Sequence, residues 1–241
     1  MPIIYVIIAT VVFTLLGGLV ALRYKGYSHI FAGLTAGVLI SVVFLEIIPE
    51  ILEMNTASSV PLLWVVIGFV IFHIFEKVFA LHHSHGEAPD HDHGHAHPTS
   101  RTAAVWALIL HSLLDGLSIG LAYQVSPVFG GLLAVGVIAH DFSDGFNTVS
   151  LTAHGPTARS KKFLILDAIA PAIGAIIGFW INVPEYILII LLSIFAGILL
   201  YVATGDILPE AHCPKKKHMV QHLIAMIVGV VYIAFVVSKL G

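Results

Sequence analysis

Polar positions in this chain are confined to short interruptions between long apolar windows. Eight such windows run from one end to the other, at residues 2–22, 30–52, 60–81, 102–123, 128–153, 163–181, 186–208 and 220–240. Each is close to the roughly 20 apolar residues that a helix needs to cross a bilayer core. Apolar residues follow one another without the alternation that strands of a membrane barrel require. The breaks carry turn chemistry: residues 55–59, Ser126-Pro127, Gly155-Pro156 and Asn182-Val183-Pro184. The pattern predicts an all-α membrane protein of eight transmembrane helices, forming a single transmembrane domain over residues 1–241.

Composition narrows the class further. Hydrophobic residues make up 58% of the chain and charged residues 10%, against about a quarter charged in soluble domains, which excludes a water-soluble globule. The formal net charge of −3 gives no ground for a nucleic-acid partner. A lone cysteine, Cys213, excludes an internal disulfide framework, a cysteine-rich zinc module and an iron–sulfur site. The fifteen histidines are what the composition leaves to be explained.

Lys and Arg favour cytoplasmic loops, and their placement sets an orientation. Arg23 and Lys25 follow the first helix, Lys77 and Arg101 bracket the third loop, Arg159, Lys161 and Lys162 precede the sixth helix, and Lys215, Lys216 and Lys217 precede the eighth. With eight spans these loops share one face, and only Lys239 lies on the other. Both termini are therefore expected outside, extracellular or periplasmic. The first window has no basic residue ahead of it and reads as a retained helix rather than a cleaved leader.

The chain also repeats itself. Residues 37–50 (GVLISVVFLEIIPE) and 197–210 (GILLYVATGDILPE) align at an offset of 160 with six of fourteen positions identical, and Glu46 maps onto Asp206. The same offset places helices 1–3 on helices 6–8. Five helices separate the copies, an odd number, so the repeats are inverted in a 3+2+3 arrangement. Inverted repeats are a recurring way to build transporters that bind substrate near the midplane.

The chemistry lies between the repeats. Helix 4 contains His111-Ser-Leu-Leu-Asp115-Gly116 and helix 5 contains His140-Asp-Phe-Ser-Asp144-Gly145. Residues four apart share a helix face, so each motif aims an imidazole and a carboxylate the same way. His111, Asp115, His140 and Asp144 from two antiparallel neighbours would form a mixed nitrogen–oxygen site suited to zinc and related divalent ions. Asp141 edges this cluster, Ser112 holds the equivalent place on helix 4, and Asn147 continues the helix 5 stripe. A second, oxygen-rich position is thus available, with Asp115 or Asp144 bridging. A carboxylate at mid-membrane costs roughly 2.5–3.5 kcal/mol, and no Lys or Arg lies inside either helix to offset three of them. Plain polar contacts between helices do not call for three acids and two histidines.

In these motifs the chain resembles the ZIP (Zrt- and Irt-like) family of divalent metal transporters, over essentially all eight helices. The family's helix 4 pattern falls on His111, Ser112, Asp115 and Gly116, and its helix 5 pattern on His140, Asp141, Ser143 and Asp144. The L-P-E-A-H ending of helix 7 and the His-rich loop after helix 3 belong to the same resemblance. It implies a primary site of His111, Asp115, His140 and Asp144, and a secondary site using Asp141 and the bridging acids. Three positions depart from the pattern. Ser112 stands for the usual Asn, Ser143 for a helix 5 Pro, and Ala170 where a helix 6 Glu ligand is common; Asp167, about one turn away, would have to substitute. The resemblance further implies that helices 1, 4, 5 and 6 move against helices 2, 3, 7 and 8.

Residues 82–100 form a His-rich loop expected to be cytoplasmic and disordered. In it His82, His83, His85, His91, His93, His95 and His97 alternate with Glu87, Asp90 and Asp92, a composition that binds zinc-class metals loosely. Glu46 and Glu50 are expected near the external mouth, and Asp206, Glu210 and His212 near the internal one, where acids would concentrate cations or simply be interfacial. His73 is expected to be packed or interfacial. The Gly33/Gly37 and Gly116/Gly120 pairs are expected to allow close helix approach.

The leading reading is a transporter, not an enzyme, moving Zn2+ (with Fe2+, Mn2+ or Cd2+ as further candidates) into the cytoplasm by alternating access. The metal would be a transported substrate, with no cofactor required. A membrane-embedded zinc hydrolase and a cation-diffusion-type exporter are the alternatives, the latter expected to have six spans. The bilayer and divalent ions are the expected partners, a homodimer is left open, and short loops suit a bacterial inner membrane.

Overall fold

The computed structural model describes residues 2–23, 28–54, 60–82, 98–152, 157–207 and 216–240, and among them all regular structure is helical. Helix α1 spans Ile3–Arg23. Helix α2 runs over Ser28–Val42, widens into a π turn at Val43–Ile47 and continues through Ile48–Met54. Helices α3 (Val60–His82), α4 (Pro98–Val125), α5 (Pro127–Thr152) and α6 (Thr157–Trp180) follow. Helix α7 covers Glu185–Tyr201 and ends in a second π turn, Val202–Ile207, before α8, Lys216–Leu240.

These rods correspond to the eight apolar windows. Six of them contain a stretch long and apolar enough to cross a membrane. The described apolar part of α3, Val60–Phe75, is shorter, and α5 is diluted by the polar residues from His140 to Asn147 that give it its chemistry. Helix α4 starts four residues before the expected 102 because Pro98 suits the first helical position, where its missing N–H is not needed. Gly116 and Gly120 of α4 lie against the backbone of α6, and Gly33 and Gly37 of α2 against that of α8, the close approach expected of them.

Helix packing follows the internal repeat. The tightest neighbours are α4 with α6, α1 with α5, α2 with α8, and α3 with α7. Exchanging helices 1–3 with 6–8, and 4 with 5, maps these pairs onto one another. The π turns obey the same relation, since Val43–Ile47 moved by 160 falls inside Val202–Ile207. In α2 the cause is local. Pro49 has no N–H, and a proline ring crowds the carbonyl four residues earlier, so the turn before it opens. In α2 the Ile48 N–H accordingly reaches back five residues to the Val43 carbonyl.

The apolar core is centred on Leu39, Val43, Ile47 and Ile51 of α2, packed with Ile119, Leu133, Val137, Leu192 and Leu199. Outward faces of α1 and α8 present Ile4, Ile8, Val12, Ile224, Ile227 and Val231, as helices meeting lipid tails do.

Candidate metal centre

The two H-x-x-x-D-G motifs sit on α4 and α5, which are joined by a single residue, Ser126, and pack side by side. Each motif aims its His and Asp across this contact. His140 Nε2 lies 2.9 Å from Asp115 Oδ2 and 3.3 Å from Asp144 Oδ2, and His111 Nε2 lies 3.3 Å from the same Asp115 oxygen. Asp115 Oδ2 is thus shared between two imidazoles. One donor atom from each of His111, Asp115, His140 and Asp144 falls within 4.8 Å of every other, so a single small cation can reach all four. All four residues are buried, Asp115 and His140 completely.

Hydrogen bonding leaves this set incomplete. Neither ring nitrogen of His111 has a hydrogen-bond partner, nor does Asp115 Oδ1, Asp144 Oδ2 or Asp141 Oδ2. Buried polar atoms are nearly always paired, and leaving one unpaired costs about 1–3 kcal/mol. Several orphaned lone pairs in one layer of an apolar bundle are what a cation would satisfy. The His140 Nδ1 faces the Gly136 carbonyl at 3.4 Å, which turns Nε2 toward the cluster. On the other flank the Phe72 ring stands 5.9 Å from the His111 ring and 5.6 Å from that of Tyr201, closing the site with aromatic surface.

The ZIP Zinc transporter family profile matches residues 90–237, more than half of the chain, and the match includes both motifs. The chain belongs to the ZIP family. Its curated relatives include Zinc transporter ZIP10 of Homo sapiens, 31% identical over 165 residues that cover 59% of this chain and 20% of that protein. Zinc transporter GufA of Myxococcus xanthus is 27% identical over 151 residues, 60% of this chain and 59% of its own. Zinc transporter foi of Drosophila melanogaster is 26% identical over 154 residues, 61% and 22% respectively. The chain therefore spans about a fifth of the animal relatives and under two thirds of the bacterial one. With its apolar helices, this ZIP-family chain is a multi-pass membrane protein.

Where this chain departs from the usual ZIP pattern, the structure supplies different bonding. Asp167 on α6 is completely buried. Its Oδ1 accepts from the Ser112 hydroxyl at 2.7 Å and its Oδ2 from the Thr148 hydroxyl at 2.8 Å, so one carboxylate ties α4, α5 and α6 together. Ser112 is thereby turned to Asp167, with the Leu108 carbonyl a more distant acceptor at 3.1 Å. Ser143, in place of a proline, leaves α5 an unbroken helix and hydrogen-bonds Thr35 of α2 at 2.6 Å. Asp141 is buried beside the cluster, while Asn147 is only partly buried.

Of the expected pathway residues, Glu46 is buried in the π turn of α2 and Glu50 is half-buried one turn on. Asp206 is placed by its backbone in the π turn of α7. Glu210 and His212 lie outside the described residues, as do His83, His85, His91, His93, His95 and His97; His82 ends α3. His73 is exposed, with Nδ1 3.2 Å from the Tyr201 hydroxyl. Thr148 and Thr35 were missed by sequence reasoning. Thr148 was findable, because it continues the His140–Asp144 stripe at the same spacing of four.

Proposed function

We propose that this chain carries divalent metal ions, zinc foremost, across the membrane into the cytoplasm. The observation that carries the reading is the buried quartet His111, Asp115, His140 and Asp144, whose donor atoms converge within 4.8 Å in the interior of an apolar helix bundle. Two imidazole nitrogens and two carboxylate oxygens suit zinc and its first-row neighbours, and such buried ionisable groups in spanning helices mark ion pathways. The metal is the substrate, and no resident cofactor is invoked.

The quartet would take the ion after its water is shed. Asp115 Oδ1 and Asp141 Oδ2, both without hydrogen-bond partners, would supply an oxygen-rich second position, with Asp115 or Asp144 bridging. Asn147 borders it. Ser112 and Asp167 bond each other instead, and their role in this reading is to hold α4 and α6 in register around the ion. Alternating access would slide the α1, α4, α5 and α6 group past α2, α3, α7 and α8, and the Thr35–Ser143 bond crosses that boundary. Glu46 and Glu50 would line the external approach, and Asp206, Glu210 and His212 the internal one. The His-rich loop would hold delivered metal on the cytoplasmic face. Ten of the eleven basic residues face that side in this orientation, and a bacterial inner membrane is the proposed location.

The test of direction uses sealed proteoliposomes with a trapped zinc indicator. External zinc is expected to raise the internal signal saturably. Efflux of preloaded zinc without influx would assign an exporter instead. The positioning role of Asp167 has its own test: Asp167→Ala is expected to weaken zinc binding, because the Ser112 and Thr148 hydroxyls lose the acceptor that ties α4 and α5 to α6. An unchanged zinc titration would remove Asp167 from the account.

A further inference from the structure

Two features outside the quartet are unexplained by it: the π turns, and the acid each one carries at the matching place in the repeat, Glu46 and Asp206. π turns are rare and gather at functional sites. Helix α2 gives the position of one relative to the metal centre. Thr35 hydrogen-bonds Ser143 of α5, and seven residues on, Val42 lies against Gly136, seven residues back. The helices are antiparallel in this stretch, and His140 falls between the two contacts. Glu46 follows one turn beyond Val42, on the Asp115–His140 side of the quartet. At about 1.5 Å per residue it stands roughly 12 Å along the axis from His140.

Glu46 is turned inward. It is 8% exposed, whereas its neighbours Phe44 and Leu45 are 52% and 41% exposed, so the acid faces the bundle and the two apolar side chains face outward. Among the described residues it makes no hydrogen bond or ion pair. An acid turned into a bundle of spanning helices is costly unless water or a cation meets it, and the π turn frees a backbone oxygen close to it in sequence. Pro49 has no N–H to give, so a carbonyl in the turn before it, on Phe44 or Leu45, lacks its helical donor.

We propose that the π turn of α2 is a cation station, in which the Glu46 carboxylate and the released backbone carbonyl supply oxygen ligands to a partly hydrated divalent metal before it reaches the quartet. Oxygen donors alone bind such ions with little selectivity, so the station gathers cations and the nitrogen-containing quartet discriminates among them. The inference rests on the transport reading given above.

The experiment measures initial zinc influx against external zinc for the intact chain, Glu46→Gln and Glu46→Asp in proteoliposomes, with zinc-induced thermal stabilisation of each purified protein alongside. Glu46→Gln is expected to raise the half-saturating concentration about tenfold, in the range by which charged mouths concentrate ions, and Glu46→Asp to recover most of it. The zinc-induced stabilisation, which reads the quartet, is expected to persist in both. Half-saturation unchanged in Glu46→Gln, or loss of influx together with the stabilisation, would overturn the station. Absence of influx by the intact chain would instead sink the transport reading. If Glu46→Gln does not accumulate, Glu46→Cys in a Cys213→Ser background keeps the question open to measurement: zinc should slow labelling of the introduced thiol, and equal labelling with and without zinc would contradict the proposal.

Discussion

Asp115→Ala is expected to abolish zinc binding at the α4–α5 cluster and, without metal, to lower the melting temperature. One oxygen of Asp115 lies 3.3 Å from His111 Nε2 and 2.9 Å from His140 Nε2, and its other oxygen has no hydrogen-bond partner. Removing this side chain takes away the atom on which both imidazoles converge, so the remaining donors no longer enclose a point. It also strips the buried His140 Nε2 of its partner at 2.9 Å, and breaking a buried pair by removing one member destabilises the fold. Zinc should therefore raise the melting temperature of the intact chain and not that of the variant. Ligand at 100 times its Kd stabilises by about 2.7 kcal/mol, an effect well above the noise of a melting curve. Equal zinc-induced shifts in both proteins would show that metal binds elsewhere.

The second large effect is expected from Gly116→Ala, in the glycine that closes the helix 4 motif. A Cβ there would sit 1.9 Å from the Pro171 carbonyl oxygen, and one at Gly174 would sit 2.1 Å from the Leu113 oxygen. Both obstacles are backbone, so α4 and α6 cannot accept a methyl group without separating. Overpacking of this kind costs about 1–3 kcal/mol. Separation would also pull Ser112 from Asp167 and displace Asp115, the residue next to the glycine. Lower thermal stability and weaker zinc binding should appear together. Gly131→Ala, with nothing within 4 Å of the added carbon, should change neither. A wild-type melting temperature for Gly116→Ala would contradict the close helix contact.

The quartet was legible because its signal is local. A spacing of four within each helix and one motif on each of two consecutive helices are enough to bring the groups face to face, and the distances among them follow from that geometry. The repeat was legible through Pro49-Glu50 and Pro209-Glu210, but its structural consequence was not. In α2 Pro49 opens the turn before it and the helix continues through Ile48–Met54. Asp167 shows the opposite limit. The resemblance left Asp167 to substitute for the helix 6 ligand missing at Ala170, yet which atoms meet its oxygens depends on how α4 and α5 rotate toward α6. That rotation is set by glycine contacts spread over several helices. The Thr35–Ser143 bond, across 108 residues, carries no local signal.

The most direct test of the central claim is zinc influx into sealed proteoliposomes for the intact chain and for Asp144→Ala, at equal protein content. Saturable influx by the intact chain that is lost in the variant is the predicted result, because Asp144 contributes one of the four converging donors and removing it leaves the ion without its full set. Undiminished influx by Asp144→Ala would contradict a pathway through the α4–α5 centre.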